Sequence, residues 1–353
     1  MTTILDYIME SESICRDIVN HRASITQGFI RKFQNKSIEE IIIVGSGTSH
    51  HAAAVAKPLF EQLLPVMVTT MFPTVFISSV KRLRKNTVVI GLSQSGTSAS
   101  TIAALEYAKS MGITTVSITA IPSSPIVDVS SLNLMLECGE EKAVAKTKGY
   151  LASVVTLWMM AMQLAKAKNF IEFDEEEDLA NRCLKTINNF PKVLEDGQKW
   201  YNRVDKKFDH CDNLIVVGAD EQMGNVFEAT LKLVETIRVP VMGHEVEEFM
   251  HGIYNAIKPS TFIVYLIGKQ RSTKRMVQLY QYLQTKTEFQ FAISSTAVSE
   301  NDCVCRFVDD EIFSPIEYIL PVQLLCHYVP EKFGINPFLS GDPLFHPSMK
   351  SKS

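Results

Sequence analysis

The stretch that most constrains this 353-residue chain is Thr87-Val88-Val89-Ile90-Gly91-Leu92, continued by Ser93-Gln94-Ser95-Gly96-Thr97-Ser98 and then by residues 100–105. A short β-branched run ending in Gly-Leu reads as a buried strand. The polar run turns the chain, and Ile102, Leu105 and residues 107–111 begin a helical period. A strand, a hydroxyl-rich turn and a helix N-terminus in that order form a cradle for phosphate. Unpaired backbone N–H groups and the positive end of the helix dipole converge on the turn. Ser93, Ser95, Thr97 and Ser98 add neutral donors, and Gln94 adds an amide. No lysine stands in the turn, which sets it apart from a nucleotide P-loop. Hydroxyls and amides suit a phosphomonoester on a small polyol, although the same residues also serve as a plain helix cap.

Around this stretch the chain alternates strand and helix. Residues 4–33 place Ile4, Ile8, Ile14, Ile18, Ile25, Phe29 and Phe33 at helical spacing, so two amphipathic helices open it. Residues 39–44 are a first buried strand, running into Gly45-Ser46-Gly47-Thr48-Ser49-His50 and a helix over about 52–64. The Gly-x-Gly lacks the third glycine and the following acidic residue of a dinucleotide fold. Residues 114–119 and 132–137 read as further strands. Residues 150–165 (YLASVVTLWMMAMQLA) are too short and too polar to span a membrane and read as a helix buried all round. Residues 172–210 change character, with an acidic helix start at 175–178 and Pro191 breaking the pattern, and read as a solvated helical connector. The rhythm then restarts, with strands at 213–217, 261–267, 289–293 and 306–308 and helices at 222–237, 273–283 and 314–328.

This alternation predicts an α/β chain of two doubly wound parallel sheets, each a three-layer αβα sandwich. The expected division is N-terminal helices over 1–38, a first domain over 39–170 with the ligand site, a connector over 171–210, a second domain over 211–330 and a tail over 331–353. The halves look like copies. Residues 41–45 match 214–218, and 87–92 match 262–267, but the hydroxyl loop 93–98 is replaced by Gly268-Lys269-Gln270-Arg271-Ser272-Thr273. A ligand is therefore expected in the first half, beyond the carboxyl ends of the strands.

A formal net charge of −4 gives no electrostatic case for nucleic acid. Cysteines 15, 138, 183, 211, 303, 305 and 326 form no Cys-x-x-Cys pair and read as reduced thiols, and Met1-Thr2-Thr3-Ile4 carries no basic leader. Together these features predict a cytoplasmic protein without nucleic-acid or membrane partners. His244, Glu248 and His251 fall at i, i+4 and i+7, on one face if helical. Glu at 248 breaks the His-Glu-x-x-His pattern, so no metal is expected. No cofactor is expected either.

Gly47-Thr48-Ser49 after one strand and Ser93-Gln94-Ser95-Gly96 after another resemble the SIS (sugar isomerase) domain of phosphosugar enzymes. Val144-Ala145-Lys146-Thr147-Lys148 resembles the Val-Ala-Ser-Thr-Lys segment that closes the same pocket, with Lys146 in place of serine. Leu231-Lys232-Leu233-Val234-Glu235 and Glu248-Phe249-Met250-His251-Gly252 resemble two motifs of the second half. The resemblance covers about residues 10–330. It is to tandem-SIS proteins: the isomerase half of glucosamine-6-phosphate synthase and the fructosamine- and glucoselysine-6-phosphate deglycases. It implies that Ser46, Thr48, Ser49, Ser93, Gln94, Ser95 and Ser98 hold a sugar phosphate and that Val144 and Lys146 face the sugar. It further implies that Glu235 shuttles the proton, that Lys232 assists it, and that His251 opens the ring. In the family that histidine comes from the neighbouring subunit, which implies a homodimer with a shared active site.

Moving a hydrogen between C1 and C2 of a phosphosugar needs one base that removes a carbon-bound proton and returns it next door. Lys232 and Glu235, at i and i+3, lie on one helix face, where they also fit an ordinary surface ion pair. Lys148 reads as a helix cap or pocket wall. The chain shows no glutaminase segment, and residues 342–353 do not match the synthase's terminal lysine motif, so Lys350 and Lys352 read as part of a frayed tail. These departures favour a deglycase or deaminase acting on an amino-sugar or fructosamine 6-phosphate. The alternatives are an aldose–ketose isomerase and a non-catalytic sugar-phosphate sensor.

Overall fold

The computed structural model describes residues 2–269 and 271–352. Its first sheet contains β1 (Glu40–Val44), β2 (Met67–Met71), β3 (Thr87–Leu92), β4 (Thr114–Thr119) and β5 (Leu132–Met135). The order is β2-β1-β3-β4-β5, with every pairing parallel. All six residues of β3 are buried, as a strand covered on both faces requires. Ile42, Val44 and Val89 pack with Phe76, Ala104, Leu105 and Ala108, so one face carries the helices Pro73–Ser79 and Ala99–Ser110. The helices Arg22–Phe33, Thr48–Leu63 and Lys148–Ala167 form the other layer and pack on one another. A Cβ at Gly91 would lie 2.8 Å from Leu105, so the bare backbone there lets the helix Ala99–Ser110 approach β3.

The apolar run expected at 150–165 is the core of Lys148–Ala167, in which every residue from 148 to 165 is buried. Gln163 and Lys166 reach from it to Glu176 at 2.6 Å each, and Arg22 Nε lies 2.5 Å from the same carboxylate. Burial alone would raise the Glu176 carboxyl. The hydrogen bonds and charges of Arg22 and Lys166 outweigh it and hold that carboxyl below its ordinary range.

The second sheet contains β6 (Leu214–Gly218), β7 (Val241–Glu245), β8 (Phe262–Ile267), β9 (Gln290–Ser294) and β10 (Cys303–Val304). Its order, β7-β6-β8-β9-β10, repeats that of the first, and the matching sequence segments fall on equivalent strands. The architecture is therefore α/β with two parallel sheets, as expected. By contacts the chain divides into two compact units. One comprises Met1–Glu12, Lys142–Thr147 and Arg182–Gly341, and the other Ser13–Glu141, Lys148–Asn181 and Asp342–Ser353.

Several sequence expectations are corrected. Strands β2 and β7 were not anticipated, because MVTTM and VMGHE are half-exposed edges without a continuous apolar run. The last strand is Cys303–Val304 and not 306–308, since Arg306 turns out to pair with Glu195 and Asp196. The helix expected over 314–328 is two, Pro315–Tyr318 and Leu320–Lys332. Within 172–210, Pro191 stands in the first turn of the helix Phe190–Val204, where its missing N–H costs nothing. That helix is no solvated spacer, for it buries Phe190, Val193, Leu194, Trp200 and Tyr201 and packs on Leu320–Lys332.

Glu317 is fully buried, and its carboxylate accepts the Asn189 amide at 2.6 Å and the Val308 N–H at 3.0 Å. Burial pushes its carboxyl up to about 7. A raised folded-state value means that the folded chain holds this proton to higher pH than the unfolded chain does. The contribution is thus complete below the unfolded value near 4.5 and is lost as pH rises towards 7. The loss should amount to about 3 kcal/mol. Thermal denaturation followed by circular dichroism from pH 4.5 to 8 should show this decline, and Glu317→Gln should flatten it.

Candidate functional site

Because β1 and β3 pair from Glu40↔Thr87 to Val44↔Gly91, their following loops emerge side by side at one edge of the first sheet. After β1, Gly47 adopts φ 54°, a left-handed conformation that glycine takes without strain, and the helix begins at Thr48. This is four residues earlier than expected from sequence. Thr48 and Ser49 therefore lie in the first helical turn, where N–H groups face outward along the axis. Ser46 is exposed, whereas Thr48 and Ser49 are half-buried.

After β3, Ser93 is buried and its N–H donates to the Ile118 carbonyl at 3.0 Å. Gly96 turns the chain at φ 66°. A Cβ there would fall 1.9 Å from Ser124 Oγ, so two independent constraints demand glycine. The Ser95 and Thr97 hydroxyls lie 2.9 Å apart, and Ser98 stands at the N-cap of Ala99–Ser110, its Oγ accepting from Thr101 Oγ1 at 3.0 Å. Six of the seven predicted phosphate ligands, at 46, 48, 49, 93, 95 and 98, thus present hydroxyls on two neighbouring loops. Gln94 differs: its Nε2 donates to Cys138 Sγ at 3.5 Å, and its amide lies against Gly149 at the start of Lys148–Ala167.

Two features of this edge were not read from the sequence. His50 stacks on Phe72 at 4.1 Å, its Nδ1 is buried without a hydrogen-bond partner, and burial holds its pKa below the usual histidine range. The C-terminal segment, expected to fray, is laid on the second loop. The Ala99 N–H donates to the Ser351 carbonyl at 3.3 Å, and Lys352 forms an antiparallel bridge with Ser98. His346 Nδ1 holds Ser351 Oγ at 2.7 Å. The residues that dock, Ser351 and Lys352, are polar, and the apolar Leu344, Phe345 and Met349 of the tail stay exposed, so no hydrophobic pattern signals this docking.

The equivalent loop of the second sheet is already occupied. Asp220, at φ 51°, accepts the Ser272 N–H at 2.9 Å and the Ser272 hydroxyl at 3.1 Å. A carboxylate of the chain itself accepts from Ser272 there, whereas the first-half loop carries hydroxyls and no carboxylate, which is the physical counterpart of the sequence divergence between the two loops.

Lys232 and Glu235 share one face of the helix Met223–Ile237, with Lys232 Nζ 2.5 Å from Glu235 Oε2. The lysine side chain is 2% exposed and Glu235 26%, so this is no surface pair. On the other side Glu228, 1% exposed, places Oε1 at 3.9 Å from the same ammonium. Burial pulls the Lys232 pKa down, but the charges of Glu228 and Glu235 and the hydrogen bond to Glu235 outweigh it and hold it above the usual lysine value. The lysine is thus a fixed cation that orients an outer carboxylate. Glu228 was missed, though its spacing of four from Lys232 was a legible signal.

His251 lies on an exposed turn just after the short helix Val246–Phe249, and its N–H donates to the Glu248 carbonyl at 3.0 Å. His244 belongs to β7, so His244, Glu248 and His251 do not share a helix face, which corrects the expected geometry. Among the described residues no group of three or more His, Cys, Asp or Glu is placed to hold a metal ion. In the segment 142–147, Ala143, Ala145 and Thr147 are buried while Lys142 and Val144 are exposed and Lys146 is half-buried. Val144 and Lys146 therefore project on the same side. Lys148 is buried at the start of its helix, where the Gly149 N–H donates to the Glu141 carboxylate at 3.1 Å.

Known proteins share the sequence pattern and the fold of this chain. Residues 36–163 match the SIS domain family. The chain is 26% identical over 342 residues to glutamine–fructose-6-phosphate aminotransferase (isomerizing) of Clostridium acetobutylicum, covering 94% of this chain and 56% of that protein. It thus spans just over half the length of the curated relatives it matches. A protein from Clostridium difficile 630 described only as a phosphosugar isomerase superposes with a TM-score of 0.93 at 32% identity, over 100% of this chain and 99% of that one. A protein from Salmonella typhimurium LT2 described as sugar-binding superposes with a TM-score of 0.84 at 28% identity, over 92% and 98% of the two chains. With two parallel sheets of one strand order and hydroxyl loops at the carboxyl edge of the first, the chain belongs to the SIS domain family of phosphosugar isomerase-like proteins.

Proposed function

We propose that the protein is an enzyme that binds an amino-sugar or fructosamine 6-phosphate, shifts a proton between C1 and C2, and releases the amine. The carrying observation is the buried Lys232 that holds Glu235 at 2.5 Å while Glu228 balances its charge from behind. A sensor of sugar phosphates has no use for a carboxylate fixed in this way. The phosphate is assigned to the loops bearing Ser46, Thr48, Ser49, Ser93, Ser95 and Ser98, with the backbone of Gln94 completing the turn. Val144 and Lys146 are assigned to the sugar. The free cysteines, all buried, fit a reducing, cytoplasmic setting.

In this reading His251, supplied by a second copy of the chain, opens the pyranose or furanose ring. For a ketosamine, Glu235 removes a proton from C1, and the electron pair moves towards the C2 carbonyl to give an enaminol. The proton returns at C2, leaving an imine at C1. Water adds to that carbon, the C–N bond breaks, and the products are an amine and an aldose 6-phosphate. Lys232 holds a proton beside the oxygen that changes charge. A chain that only interconverts hexose 6-phosphates would use the same residues without the last step.

Four outcomes are expected. Replacing Ser93 and Ser95 together by alanine should weaken phosphosugar binding in calorimetry by a few kcal/mol, at ~1–3 kcal/mol per charge-assisted hydrogen bond. Unchanged affinity would remove the loops from the site. In deuterated water, glucosamine 6-phosphate, fructosamine-type 6-phosphates and fructose 6-phosphate should separate the reactions. Amine release with deuterium at C2 of the aldose from a fructosamine, or at C1 of the ketose from glucosamine 6-phosphate, supports the proposal; hexose phosphate interconversion alone makes the protein an isomerase, and tight binding without turnover makes it a sensor. In that assay Glu235→Gln should lower turnover by ~10²–10⁴-fold. Finally, mixing Glu235→Ala with His251→Ala protein should restore part of the activity through hybrid dimers. Mixtures that stay inactive after subunit exchange would mean that each chain builds its site alone.

A further inference from the structure

The opposite edge of the first sheet carries a second concentration of charge. Residues 31–40 and 81–86 hold seven lysines and arginines against two glutamates, in a chain whose net charge is −4. Both segments come together where β1, β3 and β4 begin. There a cavity of about 240 Å³ is lined by Lys36, Ser37, Lys85, Asn86, Thr87 and Thr114, among others. β3 is six residues long, so this cavity lies roughly 20 Å from the hydroxyl loops at the other end of the strand.

The local carboxylates do not neutralise it. Glu39 accepts the Asn86 amide at 2.9 Å and has Arg84 at 3.9 Å, and Glu40 accepts the Thr87 hydroxyl at 2.8 Å. No carboxylate pairs with Lys36 or Lys85 among the described residues. Lys168, which also reaches this edge, is engaged elsewhere, donating to the carbonyls of Lys36 at 2.6 Å and Gln34 at 3.4 Å. It thereby ties down the end of the segment that carries Lys36. The Lys36 ammonium lies over the Phe33 ring at 5.9 Å, and among the described residues neither it nor Lys85 faces a carboxylate, so a bound anion would offset two like charges on one small cavity.

We propose that this cavity binds the diphosphate group of a small phosphorylated molecule, at a site separate from the hydroxyl loops. A diphosphate fits for three reasons. Lysines act on phosphate as point charges and tolerate its varied geometry. Ser37 and Thr114 line the same cavity with neutral hydroxyls. The volume of this open cavity, just below that of ordinary ligand pockets, matches a compact anion better than a nucleic-acid strand, which would need an extended groove. The inference is independent of the reaction assigned above.

The test is calorimetric titration of the full-length chain with inorganic pyrophosphate and, separately, with a nucleoside diphosphate, at low and high salt. Pyrophosphate should bind saturably, with affinity falling as salt rises. Lys36→Ala/Lys85→Ala should weaken it at least about ten-fold, Lys36→Arg/Lys85→Arg should largely retain it, and Ser93→Ala/Ser95→Ala should leave it unchanged. Thermal denaturation of each variant confirms folding, which these exposed lysines should not affect. Tighter binding of the nucleoside diphosphate with the same lysine dependence supports an organic ligand, and equal binding supports the inorganic ion. Absence of saturable binding overturns the proposal, as does binding that follows Ser93 and Ser95 and ignores the lysines. Lysine-dependent binding of a duplex DNA oligonucleotide that pyrophosphate fails to displace would overturn it in favour of an open basic surface.

Discussion

The constraint on which the first half depends is the complete burial of β3. A strand with no exposed residue needs cover on both faces and a neighbour on both edges, which a parallel sheet wrapped by helices provides. Parallel connection then sends every strand end to the same edge, so the loops after β1 and β3 become neighbours without any contact designed for that purpose. Two glycines make the geometry possible. Gly91 lets the helix Ala99–Ser110 come close to β3, and Gly96 makes the turn against Ser124 that sets the hydroxyls in front of that helix. Packing and site formation are here one problem.

The second half shows what happens to such a scaffold when the loop chemistry is replaced. Its strand order is that of the first, and β8 is as fully buried as β3. Asp220, just after β6, nevertheless accepts both donors of Ser272, which follows β8. An internal carboxylate thus satisfies the donors of Ser272. The fold is thus indifferent to ligand binding, and the difference between the halves resides in a few loop residues.

Buried charge is handled in three distinct ways. Glu176 is surrounded by Arg22, Lys166 and Gln163 and stays ionised. Glu317 has only neutral donors and is pushed towards the protonated form. Lys232 is shared between two carboxylates of unequal exposure, so that the outer one, Glu235, is oriented yet open to solvent. The first arrangement ties helices together, and the second makes stability depend on pH. The third leaves an oriented carboxylate in reach of solvent, the group to which the proposed reaction assigns the proton transfer.

By itself the sequence determined the α/β class, the doubled strand–helix rhythm, the buried strands β1, β3, β4, β6, β8 and β9, and the two hydroxyl loops. These are local matters, because unbroken β-branched runs and polar turns encode burial and chain reversal within a few residues. It also placed Lys232 and Glu235 on one helix face by spacing alone. The edge strands β2 and β7 were illegible because half-exposed edges carry mixed patterns, and only pairing with β1 and β6 makes strands of them. Likewise only tertiary structure decided that His244 stands in a strand, that Gln94 turns towards Cys138, and that Ser351 and Lys352 of the tail lie across Ser98 and Ala99. Glu228 closing the far side of Lys232 belongs with these. In each case the deciding contact joins groups whose partner is set by how the chain folds back, and no local pattern of polarity records it.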